Sequence, residues 1–170
     1  MEKMKKYELT TNTIVHNGRT LYQIKALMNF GIIREGDLGG YIESEKNLSQ
    51  EGNAWVYDNA KVCGNAWVCG NAKVYGDAEV CGNAKVYGNA KVCGDYDYTL
   101  IKGFGTEYRN TTFFRCKDGN VRVTCGCFYG TIEEFREQVK RTRTGKIAEE
   151  YLMIADLMEF HFREENTNDM

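Results

Sequence analysis

Residues 54–93 read AWVYDNAKVCGNAWVCGNAKVYGDAEVCGNAKVYGNAKVC, a six-residue unit repeated with almost no interruption. Valine returns at Val56, Val62, Val68, Val74, Val80, Val86 and Val92, and alanine at Ala54, Ala60, Ala66, Ala72, Ala78, Ala84 and Ala90. One residue separates Ala from Val in each unit, so Ala-Lys-Val-Tyr alternates between two faces as a short strand does, with Ala and Val inward. The Gly-Asn or Gly-Asp pair that follows turns the chain, because glycine tolerates positive φ and Asn or Asp accept the left-handed region better than other residues. Each hexad therefore predicts one strand and one corner. A strand this short cannot bury its face alone, so successive strands must coil and stack at about 4.8 Å, with backbone hydrogen bonds running between coils.

A valine followed by alanine four positions on, every six residues, is similar to the left-handed parallel β-helix of the hexapeptide-repeat proteins. That resemblance implies three hexads per triangular coil. It gives about two and a third regular coils here, about three with an irregular first coil. Residues 39–68, GGYIESEKNLSQEGNAWVYDNAKVCGNAWV, also resemble the polymer-repeat proteins of bacteria and phages loosely described as transferases.

Stacking by three hexads predicts inward columns Val56–Val74–Val92, Val62–Val80 and Val68–Val86. The outward face beside the first column shows Trp55, Tyr57, Lys73, Tyr75, Lys91 and Cys93 and is the most aromatic. Solvent alone does not explain such a face. One expectation is a subunit interface at Trp55, Tyr57, Tyr75 and Cys93, the family resemblance implying a homotrimer about an axis parallel to the helix. The other is that the C-terminal segment folds back over it.

The chain divides into residues 1–47, an N-terminal β cap with the irregular first coil; 48–97, the repeat; and 98–170, a C-terminal module. Two β-prone runs flank Asn17-Gly18, the signature of a type I′ hairpin, which places His16 at an exposed tip. Leu38 lies one three-hexad interval before Val56, and Leu48 one before Ala66, as an irregular closing coil requires. After Gly94 the repeat decays, and Asp95 to Ile101 ends the last coil or leads away from it. TTFFRC and NVRVTC around Lys117-Asp118-Gly119 read as a β-hairpin. Thr131 to Glu134 is a capping box opening a helix, and a second helix spans about Lys146 to Phe162, with Gly145 at the break and EENTNDM as a frayed tail. The predicted fold is thus mainly β, a left-handed parallel β-helix between an N-terminal hairpin cap and a ββαα module. The string from Gly103 to Phe135 resembles a small module of phage and prophage proteins.

A net charge of −2, spread without a basic block, gives no long-range attraction to nucleic acid. No apolar run approaches signal-peptide or membrane-spanning length, so a cytoplasmic protein without a membrane partner is expected. Seven cysteines, an odd number, fit a reducing compartment in which thiols serve as small apolar side chains. Cys116, Cys125, Cys127 and His161 read as packing residues, since C-x-C lacks the usual zinc spacing. No metal or other cofactor is implied.

Acyltransferases of the hexapeptide family imply a histidine base on a coil and a loop protruding between coils. Here His16 and His161 both lie outside the repeat, and no loop interrupts a hexad. The expectation is therefore a non-catalytic phage-type scaffold or binding protein, with a divergent acyltransferase and a purely structural assembly protein as alternatives. Its candidate ligand residues are Gly103, Gly105, Thr106, Arg109, Thr111, Thr112, Arg115 and Arg122. Flexible backbone, hydroxyls and guanidinium groups suit an anionic, nucleotide-like small molecule. A host protein is the other candidate partner.

Overall fold

The computed structural model describes residues 3–163. A hairpin of β1 (Tyr7–His16) and β2 (Arg19–Ala26) leads to β3 (Leu38–Ile42). Seven two-residue strands follow: β4 (Trp55–Val56), β5 (Lys61–Val62), β6 (Trp67–Val68), β7 (Lys73–Val74), β8 (Glu79–Val80), β9 (Lys85–Val86) and β10 (Lys91–Val92). The C-terminal part comprises β11 (Tyr98–Phe104), β12 (Arg109–Arg115), β13 (Val121–Cys125), β14 (Phe128–Thr131), α1 (Ile132–Thr142) and α2 (Gly145–His161). The fold is mainly β with two C-terminal helices, in several sheets of which none closes on itself among the described residues.

The hexad strands pair in parallel, each with the strand three units on. Trp55 and Val56 lie opposite Lys73 and Val74, and these opposite Lys91 and Val92. Lys61 and Val62 face Glu79 and Val80, and Trp67 and Val68 face Lys85 and Val86. All seven valines are fully buried and the seven alanines nearly so. Each such valine contributes roughly 1.5–3 kcal/mol. At the first corner Asp58 occupies the position that glycine holds in the later hexads, with φ of 51°, and its carboxylate accepts from the Gly76 N–H at 3.3 Å.

The first circuit is longer than the repeat. Ile42 lies opposite Val62 and Leu48 opposite Val68, an offset two residues greater than the three-hexad interval expected. The extra length falls at Gln50 and Glu51, because Ser49 N–H donates to Val68 O whereas Asn53 N–H donates to Gly70 O. Gln50 uses the space to receive the start of β1: its Oε1 accepts from Lys6 N–H at 2.8 Å, and its Nε2 donates to Tyr7 O at 3.3 Å. Leu38, expected inward, is exposed and pairs with Lys25 instead.

A stack of parallel ladders ends with bare carbonyls on one side and bare N–H groups on the other. The N-terminal segment supplies donors to the first kind. Lys6 Nζ donates to Ala54 O at 2.9 Å, Asn47 Nδ2 to Gly64 O and Ala66 O at 3.1 and 2.9 Å, and Tyr7 OH to Leu48 O at 2.6 Å. Burial lowers the pKa of the Lys6 ammonium to about 8, because desolvation disfavours its charged form. The C-terminal segment supplies acceptors to the second kind. Asp95 Oδ1 takes Glu79 N–H at 2.7 Å, Asp97 Oδ2 takes Cys93 N–H at 2.7 Å, and Thr112 Oγ1 takes Lys85 N–H at 3.3 Å.

Strand β12 joins the stack to the C-terminal layer because it is buried on both faces. Phe114 and Cys116 enter the core of the hexad stack, while Phe113 packs with Val123, Phe135, Tyr151 and Met158. The C-terminal sheet is a four-stranded antiparallel meander, β11-β12-β13-β14, so the expected hairpin is correct but forms only its middle. Strand β11 begins at Tyr98, after a short 3-10 turn at Asp95–Asp97, within the segment expected to end the last coil or lead away from it. The capping box holds as expected: Glu134 N–H donates to Thr131 Oγ1 at 3.1 Å, and Thr131 N–H to Glu134 Oε2 at 2.7 Å. The tail EENTNDM lies outside the described residues. Among those described, no helix is long and apolar enough to cross a membrane.

Asp97 is buried and also accepts from Arg115 Nε at 3.1 Å. Asp97→Ala strands a coil-end N–H and a partly buried guanidinium together, so urea unfolding is expected to show a loss of about 3 kcal/mol. Asp97→Asn, which keeps an acceptor oxygen, should lose clearly less; equal midpoints for wild type and Asp97→Ala would contradict the capping role.

Candidate functional site

The structure scatters the eight predicted ligand residues. Gly105, Thr106 and Arg109 line one cavity of about 160 Å³ between the β11–β12 turn and the two helices. Gly103 sits exposed near the end of β11, where the register with β12 shifts, at φ of 100° and with open space around it. Thr111 is buried, its hydroxyl donating to Cys125 Sγ at 3.2 Å. Thr112 points the other way, to the coil end, and Arg115 is held by Asp97 and the Phe162 carbonyl. Arg122 pairs with Asp118 at 3.0 Å. The strand's period of two separates these neighbours in sequence onto opposite faces.

The cavity has a mixed apolar and basic lining. Phe104, Phe128, Phe135 and Val139 line it together with the exposed Thr106, Arg109, Thr142 and Arg143. Arg143 is the residue that ends α1, its N–H donating to Val139 O at 2.8 Å. Sequence reading missed it because nothing local separates it from the other basic residues of that helix end; only the packing of α1 on the meander brings it to the cavity that Arg109 lines. Arg109 pairs with Glu107, the one carboxylate lining the cavity. Tyr151 from α2 closes the inner wall, where burial raises the pKa of its phenol. Its ring leaves room only for glycine at position 105, since a Cβ there would fall 2.5 Å from the hydroxyl.

The predicted interface residues separate as well. Trp55 is 1% exposed, enclosed by Tyr7 and Phe30 with ring centroids at 6.2 and 5.3 Å, so it is unavailable to another chain. Neither expectation for this residue holds: the N-terminal segment covers it. Tyr57 and Tyr75 remain half-buried on the same face, and Cys93 is exposed.

His16 is not merely a turn residue. The hairpin brings its Nε2 to 2.9 Å from Glu79 Oε2 on the hexad stack, with Lys61 Nζ 3.8 Å from the same carboxylate's other oxygen. A histidine absent from the repeat is thus supplied to it from another segment, which no reading of hexads alone reveals. His161 is exposed at the end of α2 against the Phe162 ring. Cys116 is buried, where desolvation pushes its thiol up to about 11, and no group of three or more His, Cys, Asp or Glu side chains is placed to hold a metal among the described residues.

The expectation of seven free thiols is corrected at one place. Cys63 and Cys81 form a disulfide, their Cα atoms 4.8 Å apart, because the three-hexad register sets one outward cysteine directly over the other. In comparisons with known proteins, no family model and no curated protein matches the chain.

In the denatured, unreduced protein, alkylation should modify the five cysteines other than Cys63 and Cys81, and reduction should bring the total to seven. Seven modified residues without reductant, read by mass spectrometry of air-equilibrated protein, would contradict the cross-link.

Proposed function

We propose that the chain is a non-catalytic, phage-type binding protein whose scaffold is a left-handed parallel β-helix and whose C-terminal module holds a small anion. The hexad sequence and the parallel offsets of three units support the scaffold reading; a parallel ladder joined by glycine corners is what stacked triangular coils require. The observation that carries the function is that Arg109 and Arg143 both line one cavity whose lining also includes Phe104, Phe128, Phe135 and Val139. Guanidinium pairs favour carboxylate or phosphate through charge-assisted hydrogen bonds. A cavity of about 160 Å³ is smaller than the roughly 300–1,000 Å³ typical of small-molecule sites. It therefore suits an anionic head group with a short apolar tail better than the whole nucleotide expected from sequence.

Binding is favoured over assembly, because the largest side chain of the expected trimer interface belongs to the chain's own core and both ends of the stack carry caps from the same chain. The divergent acyltransferase remains the second reading, favoured by His16 beside Glu79 on the stack. Neither histidine lines the Arg109 cavity.

Calorimetric titration of the full chain with butyrate and with inorganic phosphate is expected to show saturable binding. Arg109→Gln and Arg143→Gln should each weaken it about tenfold or more, as loss of a charge-assisted hydrogen bond requires. Binding indifferent to both substitutions would contradict the site. Acyl transfer from acyl-CoA that disappears in His16→Ala would favour the enzymatic reading instead.

A further inference from the structure

A second cavity, of about 340 Å³, lies on the first face of the hexad stack. All three parts of the chain build it. Asn71, Lys73, Tyr75 and Lys91 form its floor, residues 30–33 overhang one end, and the β12–β13 turn brings Lys117 to the other, where its N–H donates to Asn89 O at 3.1 Å. Its volume falls within the roughly 300–1,000 Å³ of ordinary small-molecule sites.

Two features of this groove have no structural reason within the fold. Lys73 stands directly opposite Lys91 in the parallel register, where like charges repel. No ion pair joins Lys73, Lys91 or Lys117 to a carboxylate among the described residues, and no Asp or Glu lines the groove. The adjacent ladder shows the neutral solution, setting Lys61 opposite Glu79. The groove is thus a concentrated positive site on a chain whose net charge is −2.

The second feature is an aromatic column that stops one layer short. Tyr57 and Tyr75 stack with centroids 4.4 Å apart and planes 17° from parallel. The next outward position in that column is the exposed Cys93, so Tyr75 has no ring on its far side among the described residues. Successive coils lie about 4.8 Å apart, so the small, exposed Cys93 side chain leaves the far face of Tyr75 open to a flat ring at stacking distance. Alongside runs an amide ladder in which Asn53 donates to Asn71, and Asn71 to Asn89, each at 3.3 Å. It ends with the Asn89 amide nitrogen at the level of Lys91.

We propose that this groove binds a mononucleotide-class ligand, its heteroaromatic ring stacked on Tyr75 in the Cys93 layer and its phosphate held among Lys73, Lys91 and Lys117. The ring and the phosphate each answer one of the two features. The assignment is independent of the Arg109 cavity, with which the groove shares no lining residue.

The test is calorimetric titration of the full chain at low salt with AMP, adenosine and inorganic phosphate, with melting temperatures measured in parallel. AMP should bind at least about tenfold more tightly than either fragment. Tyr75→Leu should weaken AMP about tenfold by removing the stacking surface. Lys91→Glu gives Lys73 the counter-charge that Glu79 gives Lys61, so it should raise the melting temperature of the ligand-free protein while abolishing AMP binding. No saturable AMP binding, AMP binding unchanged in Lys91→Glu, or phosphate alone binding as tightly as AMP would overturn the proposal.

Discussion

A parallel ladder has a chemical polarity that the whole molecule must answer. Each hexad donates its N–H groups to the carbonyls of the hexad three units later, so one end of the stack is left with unsatisfied acceptors and the other with unsatisfied donors. Buried backbone groups left unpaired cost free energy comparable to a lost hydrogen bond. The two flanking segments differ in side-chain chemistry accordingly. Lys6, Tyr7 and Asn47 donate at the first end, and Asp95, Asp97 and Thr112 accept at the last. The buried Asn47 and the buried Asp97 occupy equivalent places, each in a short 3-10 turn where a corner of the repeat would otherwise fall.

The regular part was legible in the sequence because its period is local: Ala and Val two residues apart fix the inward face, and three-hexad spacing sets the columns. The ends were not, because their logic is non-local. Thr112 reads as a ligand hydroxyl in a string of threonines and arginines, yet its partner is the N–H of Lys85, far earlier in the chain. Trp55 reads as outward by hexad phase, and it is, but the outward side at that level lies beneath the N-terminal segment. Gln50 and Glu51 look like ordinary surface residues until the offset between Leu48 and Val68 shows that they are the inserted pair.

The candidate site followed the same pattern. Glycine, threonine and arginine between residues 103 and 115 point to anion recognition, and Gly105, Thr106 and Arg109 do share a cavity. Strand alternation sends Thr112 to the coil end, and Asp97 engages Arg115. The second guanidinium of the cavity, Arg143, arrives from the end of α1. Charge placement on the hexad stack is equally uneven. Lys61 opposes Glu79, with which it pairs, whereas Lys73 opposes Lys91 and neither pairs with a carboxylate among the described residues. Positive charge is therefore gathered in the groove on the hexad stack, although the chain as a whole carries a net charge of −2.

The end-capping account is tested most directly by residue-resolved amide hydrogen exchange at Glu79, Lys85 and Cys93. These N–H groups belong to the last hexads and have no later coil to receive them. If Asp95, Thr112 and Asp97 accept from them as described, they should exchange orders of magnitude more slowly than unprotected amides of the same local sequence. Exchange at all three at the unprotected rate would contradict a stack closed by its own chain.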